Sequence, residues 1–420
     1  MPKAKRYKAQ AFDKMQYFYR AAHEPLIHCI IKLSGHIDDA LLEKAVSVST
    51  DAIPMIRCVF NRKKHCWQEA GFTGKDIVSV VHVDGLPEET IRSLLAQTID
   101  IFTEPQLKIF IAREETADTL CILMNHMVGD GVGFKEYLYL LADLYGKCKN
   151  GSPMPALSCG PRGALQLFKR FGVHEKLKIL GLKHDLSAQK EQKPIVFEGD
   201  MNRPFFSTLE ISAEELESVK AFARLNGVTV NDLFLTAYAH VLHRETGHGR
   251  IILPCPVDLR KYLLPEHQHG ICNLTSNLIC DMTVDDSDSF FGTLRQISSQ
   301  MAAQKISHNC LKSQITMELF SRIVPFGVMQ SVFHKAFKIP IVSYSNLGVL
   351  DSVILHFGDV KEAYLTGAVK SVPYFQVAVS TFRGCCTLSC NMYGTPDDQM
   401  RVARILRQIK DELTNGAKII

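Results

Sequence analysis

No apolar run in this 420-residue sequence is long enough to cross a bilayer, so no transmembrane helix is expected. The opening "MPKAKRYK" is basic, yet no apolar signal core follows it, and a cytoplasmic chain is the expectation. The thirteen cysteines are scattered and odd in number. They suggest no disulfide framework and are expected to be reduced thiols, many of them buried. "CCTLSC" (385–390) groups three thiols without the fourth ligand or Cys-x-x-Cys spacing of a zinc site, so no metal is expected. Charge of one sign is also lacking: 48 Lys+Arg against 44 Asp+Glu leave +4, which argues against a nucleic-acid binder. A Gly-x-Ser-x-Gly nucleophile elbow is absent, which disfavours a hydrolase of that type.

The composition is that of a globular protein, and the length favours two domains. Helical and strand patterns alternate, which implies mixed α/β architecture. "IDDALLEKAVSVSTDAI" and "PEETIRSLLAQTID" read as helices with acidic starts. "LKIFIAR" and "TLCILMN" read as strands joined by the polar "EETAD". Pro, Gly and Ser cluster in "NGSPMPALSCGPRG" (150–163), the strongest boundary signal. Three segments follow from it: a first lobe over 1–160, a basic linker over 161–195 and a second lobe over 196–420. The linker region holds Arg162, Lys169, Arg170, Lys176, Lys178, Lys183, Lys190 and Lys193, read first as a solvated face and otherwise as a landing surface for a phosphate-bearing ligand or an acidic protein partner. Beyond it, "SAEELESVKAFARLNG" is a capped helix, and "IPIVSYSNLG", "YLTGAV" and "FQVAVSTFRG" suggest a final sheet.

The chemistry-bearing stretch is "CILMNHMVGDGVGF" (121–134), where a buried strand stops at His126 and a glycine-rich turn carries Asp130 into a helix. A histidine there can be neutral near pH 7 and accept a proton from a hydroxyl, amine or thiol. Asp130 can hold the imidazole directly or pin the turn by pairing with an arginine. Glycines 129, 131 and 133 permit positive φ and a close approach of ligand to backbone.

"LMNHMVGDGVGF" resembles the His-His-x-x-x-Asp-Gly core of nonribosomal peptide synthetase condensation domains and related acyltransferases of the chloramphenicol acetyltransferase-like superfamily. Further stretches match in order: "AQAFDKMQYFY" (9–19), "AIPMIRCVF" (52–60), "DIFTEPQLKIFIAR" (100–113), "GVTVNDLFLTAYAHVL" (227–242) and "PVDLRKYL" (256–263). The resemblance implies an α/β fold of α+β two-layer sandwiches, with two lobes in a V and a channel between them. It implies His126 as proton acceptor, Asp130 bonded to Arg57, and Gly131 keeping the turn tight. Asn125 replaces the first histidine of the condensation-domain pair, which weakens peptide-bond formation as the reaction more than acyl transfer. The Asp-Phe-Gly-Trp-Gly signature of plant acyltransferases is absent, and the sole tryptophan is Trp67. "SYSNLG" (343–348) resembles the Ser-Asn region of alcohol acetyltransferase relatives, which makes Ser345 and Asn346 candidate channel or oxyanion groups beside Asn125 and the amides around Gly129.

The function so implied is acyl transfer from acyl-CoA or an acyl carrier protein to a small hydroxyl or amine acceptor. No permanently bound cofactor is needed, since the phosphopantetheine thioester is a co-substrate, and a monomer is expected. The alternative of another class is a catalytically silent condensation-like module that docks a carrier protein.

Overall fold

A computed structural model describes residues 4–20, 23–181, 192–265, 270–336 and 339–417. The strand Asp118–Asn125 is buried at every position, as a continuous apolar run in a central strand requires. It lies in the middle of a five-stranded sheet ordered Val360–Thr366, Leu26–Leu33, Asp118–Asn125, Leu107–Arg113, Val78–His82. Only the last two of these strands run parallel. Helices Asp39–Ser49 and Gly131–Lys149 pack together against a core holding Ile31, Leu107, Ile109, Ile122, Phe134 and Leu138.

A second core fills the other half of the molecule. Its four-stranded sheet is ordered Val342–Leu350, Phe375–Phe382, Cys385–Tyr393, Pro204–Ile211. An antiparallel ribbon, Arg250–Asp258 with Thr275–Thr283, lies next to it. Helix Val230–Thr246 is buried continuously from Asp232 to Leu242, and helix Pro396–Gly416 packs on it. Helix Ala213–Asn226 begins with the expected capping box, Ser212 with Glu215, and stops at Gly227 at φ +66°. Two α/β layers, each with its own core, match the two-lobed architecture expected from the sequence.

One strand departs from that expectation. Val360–Thr366, read with the final sheet, pairs antiparallel with Leu26–Leu33 and so completes the first sheet. Leu347, Leu350, Leu355 and Phe357 belong to the same first core. A strand's face pattern does not specify which sheet accepts it, and here the second half of the chain crosses over the first. Arg162 also departs: it is buried and bonded to Asp13, so it contributes no surface charge. Of the other basic positions, Lys183 and Lys190 lie outside the described residues.

Candidate active site

The strand ends at Asn125 because that side chain closes the turn. Its Oδ1 accepts from the Met127 amide at 2.9 Å, and its Nδ2 donates to Gln106 Oε1 at 2.9 Å. The His126 amide donates to Pro25 O at 2.7 Å, which fixes where the ring leaves the sheet. From the other half, Asn273 Nδ2 donates to His126 O at 2.9 Å. Arg162 donates to Val128 O at 2.8 Å while both oxygens of Asp13 accept from it at 3.2 Å. Asp13 also accepts from Trp67 Nε1 at 3.0 Å. Four separate parts of the chain therefore hold one five-residue turn.

Asp130 caps helix Gly131–Lys149: its Oδ1 accepts from the Gly133 amide at 2.8 Å. Its Oδ2 accepts from the Leu274 amide at 2.7 Å. Arg260 grips both oxygens, with Nη2 to Oδ1 at 2.9 Å and Nη1 to Oδ2 at 3.2 Å. This corrects the expected pairing with Arg57. Arg57 instead donates to Thr50 Oγ1 at 2.8 Å and pairs with Glu69 at 2.8 Å. The physical reason is topological: the turn faces the segment 270–274 of the second half, and Arg260 sits against that segment, bonding Gly270 O and Cys272 O.

The glycines serve closeness, not unusual dihedrals, for none of 129, 131 and 133 has positive φ. A Cβ on Gly133 would meet Cys272 O at 2.8 Å and Arg260 Nη2 at 3.1 Å. A Cβ on Gly131 would meet the Leu347 side chain at 2.6 Å, whereas one on Gly129 would find nothing nearer than 3.8 Å. Gly133, not Gly131, is the position where backbone itself approaches.

A cavity of about 250 Å³ lies beside the turn and is lined from both halves of the chain, His126, Asp130 and Gly131 among the lining residues. Ser345 and Asn346 also line it. Asn125 and Gly129 do not line it: Asn125 is wholly buried in the closure of the turn. Ser343 and Ser345 alternate along one strand and so face the same way. Asn346 is engaged, donating to Asn231 Oδ1 at 3.2 Å and accepting from the Gly348 amide at 2.9 Å. The Ser345 hydroxyl has no protein partner among the described residues.

His126 Nδ1 is buried without a hydrogen bond among the described residues. Burial holds the imidazole pKa below its ordinary value; Asp130 opposes the shift and Lys370 adds to it. The first two amides of helix Gly131–Lys149, at Gly131 and Val132, are among the four that a helix leaves unbonded internally, and both residues line the cavity. The site can thus offer a proton acceptor, a hydroxyl and the positive end of a helix to one small volume.

Sequence reasoning missed Arg260, Asn273, His23 and Lys370. Arg260 lay within "PVDLRKYL", a stretch that matched the family pattern without being given a role. His23 and Lys370 had no local signal; the crossing strand Val360–Thr366 and the pairing of Lys370 with strand Cys385–Tyr393 bring the second beside the first.

No family model matches the sequence. Segments of curated proteins do, two of which follow. Cyclosporin synthetase of Tolypocladium inflatum is 23% identical over 299 residues, covering 64% of this chain and 2% of that protein. Surfactin synthase subunit 1 of Bacillus subtilis is 25% identical over 194 residues, 43% of this chain and 5% of that protein. The chain therefore spans only a small part of the curated relatives it matches. Solved structures agree along its whole length. The first condensation domain of the calcium-dependent antibiotic synthetase superposes with a TM-score of 0.70 at 14% identity, covering 99% of this chain and 97% of that one. The epimerization domain from the third module of tyrocidine synthetase B gives 0.71 at 14%, covering 99% and 96%. Trichothecene 15-O-acetyltransferase from Fusarium sporotrichioides gives 0.70 at 13%, also covering 99% and 96%. With His126 and Asp130 on a turn between two α/β layers, the chain shares the fold of the condensation and epimerization domains and of the trichothecene acetyltransferase, and segments of it are similar to nonribosomal peptide synthetases.

Proposed function

We propose that this protein is an acyltransferase that moves an acyl group from a thioester, on coenzyme A or an acyl carrier protein, to a hydroxyl or amine acceptor. The observation that supports it is His126: a partly buried imidazole, held neutral, at the wall of a cavity lined from both halves of the chain. In this reading His126 takes the acceptor's proton as its oxygen or nitrogen attacks the thioester carbonyl. General-base catalysis of this kind contributes on the order of 10²- to 10⁴-fold. The tetrahedral oxyanion is met by the Gly131 and Val132 amides or by Ser345, each such donor worth roughly 3 kcal/mol. Collapse expels the thiolate, which leaves with the proton that His126 carried. Asp130 does not touch the reacting atoms; with Arg260 it fixes the turn.

The test is thiol release from a panel of acyl-coenzyme A and carrier-bound donors with simple alcohols and amines, for wild type and for His126→Ala shown to be folded by circular dichroism. Turnover that survives the substitution removes the reading. Silence from wild type across all donors, combined with tight binding to a carrier protein, supports the docking module instead.

A further inference from the structure

Lys370 is 9% exposed and lines the same cavity as His126. Its backbone is pinned on both sides, the amide donating to Asn391 O and the carbonyl accepting from the Tyr393 amide, each at 2.9 Å. The side chain therefore leaves a fixed frame. Its Nζ donates to His23 Nε2 at 3.2 Å. Burial holds the His23 pKa well below its ordinary value, with Lys370 adding to the shift, so at neutral pH this imidazole is an uncharged acceptor. An ammonium has three donors, and only one is used among the described residues.

No carboxylate lies within 4.0 Å of Nζ among the described residues. The two aspartates that line the cavity are both committed to Arg260: Asp130 at 2.9 and 3.2 Å, Asp258 at 2.9 Å. Buried lysines are ordinarily paired, because an unpaired ammonium in a low-dielectric site costs several kcal/mol. Burial lowers the Lys370 pKa to about 8, so the group still carries its charge at pH 7. A charged, anchored, two-thirds unsatisfied donor set at the wall of an open cavity is what an anionic ligand completes.

We propose that Lys370 is an anion-binding residue of this cavity, and that the substrate it takes there carries a free carboxylate close to its reacting atom. The proposal rests on the acyl-transfer reading for the word substrate, not for the binding site. It narrows the acceptor to a small hydroxy acid or amino acid whose acid group sits on Lys370 while its hydroxyl or amine meets His126. A carboxylate fits better than the phosphate of a pantetheine arm, since that phosphate lies a long chain away from the thioester that must reach His126.

Titration calorimetry of the full chain at pH 7 tests the binding without any turnover. The probes are butyrate, its neutral isostere butyramide, and inorganic phosphate. Wild type is expected to bind butyrate about tenfold or more tighter than butyramide, a difference of roughly one ion pair. Lys370→Met is expected to bring the ratio near one, Lys370→Arg to restore part of it, and His126→Ala to keep it. Lys370→Met should also melt no lower than wild type, since an apolar chain of similar length replaces an unpaired buried charge. Equal affinity of wild type for the two probes, absence of butyrate binding, a preference that persists in Lys370→Met, or phosphate bound tighter than butyrate would each overturn the proposal. An acid preference in a protein with no acyl transfer would sink only the functional reading above.

Discussion

Asp130 and Arg260, 130 positions apart, form a buried two-pronged ion pair at 2.9 and 3.2 Å that fastens the histidine turn to the second half of the chain. Every lone pair direction of the carboxylate is used, since the Gly133 and Leu274 amides complete the set. Removing one partner leaves a buried charge unpaired, which costs roughly 3–5 kcal/mol. Arg260→Met is therefore expected to lower stability by about that amount and to abolish acyl transfer. Arg57→Met breaks a half-exposed pair with Glu69 and is expected to cost no more than about 1 kcal/mol. Urea unfolding and turnover of the two variants decide the matter; the reverse order would restore Arg57 as the partner that matters.

In the proposed reaction the neutral form of His126 takes the proton, so activity is expected to rise as the ring loses its own. Burial places that step below the ordinary histidine value of roughly 6.5. The acid limb of kcat/KM is expected below that pH, with a plateau by neutrality. Lys370 pushes the same pKa down, so Lys370→Met should move the limb toward higher pH. Of the other ionisable groups around the cavity, Asp130 pulls the opposite way, Asp258 is paired with Arg260, and burial holds His23 and Tyr19 in their uncharged forms. A pH–rate profile with a neutral acceptor measures this free of any acid recognition, and an unmoved limb would separate Lys370 from the base.

Local patterns made much of this molecule legible. The strands Leu107–Arg113 and Asp118–Asn125, the helix behind the turn and the capped helix at Ser212 all carry their signals within a dozen residues. His126 and Asp130 were legible for the same reason, being four positions apart on one turn. What the sequence withheld was long-range. The fold decides the partner of Asp130, because Arg57 and Arg260 are equally plausible guanidinium groups until the turn is seen to face residues 270–274. Strand Val360–Thr366 has an ordinary strand pattern, and nothing in that pattern names Leu26–Leu33 as its neighbour. Lys370 follows from that crossing and was invisible with it.

His28 makes a separate prediction about stability. It is fully buried in strand Leu26–Leu33, and its Nδ1 bonds Gly367 O at 3.0 Å. Burial lowers its pKa to about 4. Between roughly pH 6.5 and 4 the unfolded chain binds a proton there that the native chain does not, so stability falls as pH drops through that window. The loss is about 3 kcal/mol at its full extent, from 1.36 kcal/mol per pKa unit. Denaturant unfolding at pH 7 and pH 4 should show His28→Gln losing less than wild type by about that amount. Equal losses in the two proteins would mean that His28 titrates normally.

Glycines 131 and 133 separate the shape of the turn from the shape of the cavity. Alanine at 133 would drive its Cβ against Cys272 O, a backbone atom that cannot rotate away, and against the guanidinium that holds Asp130. The lock must open or the segment 270–274 must shift, at a cost of roughly 1–3 kcal/mol. Gly133→Ala is therefore expected to lose both stability and kcat, since His126 is aimed by the same turn. Alanine at 131 meets only the far end of Leu347, which can rotate, but Leu347 itself lines the cavity. Gly131→Ala is expected to keep most of its stability while raising KM for the acceptor as the displaced leucine narrows the space. Thermal melts and steady-state kinetics on the pair distinguish the two effects. If Gly131→Ala proved the less stable variant, the close approach at Cys272 would not be what fixes this turn.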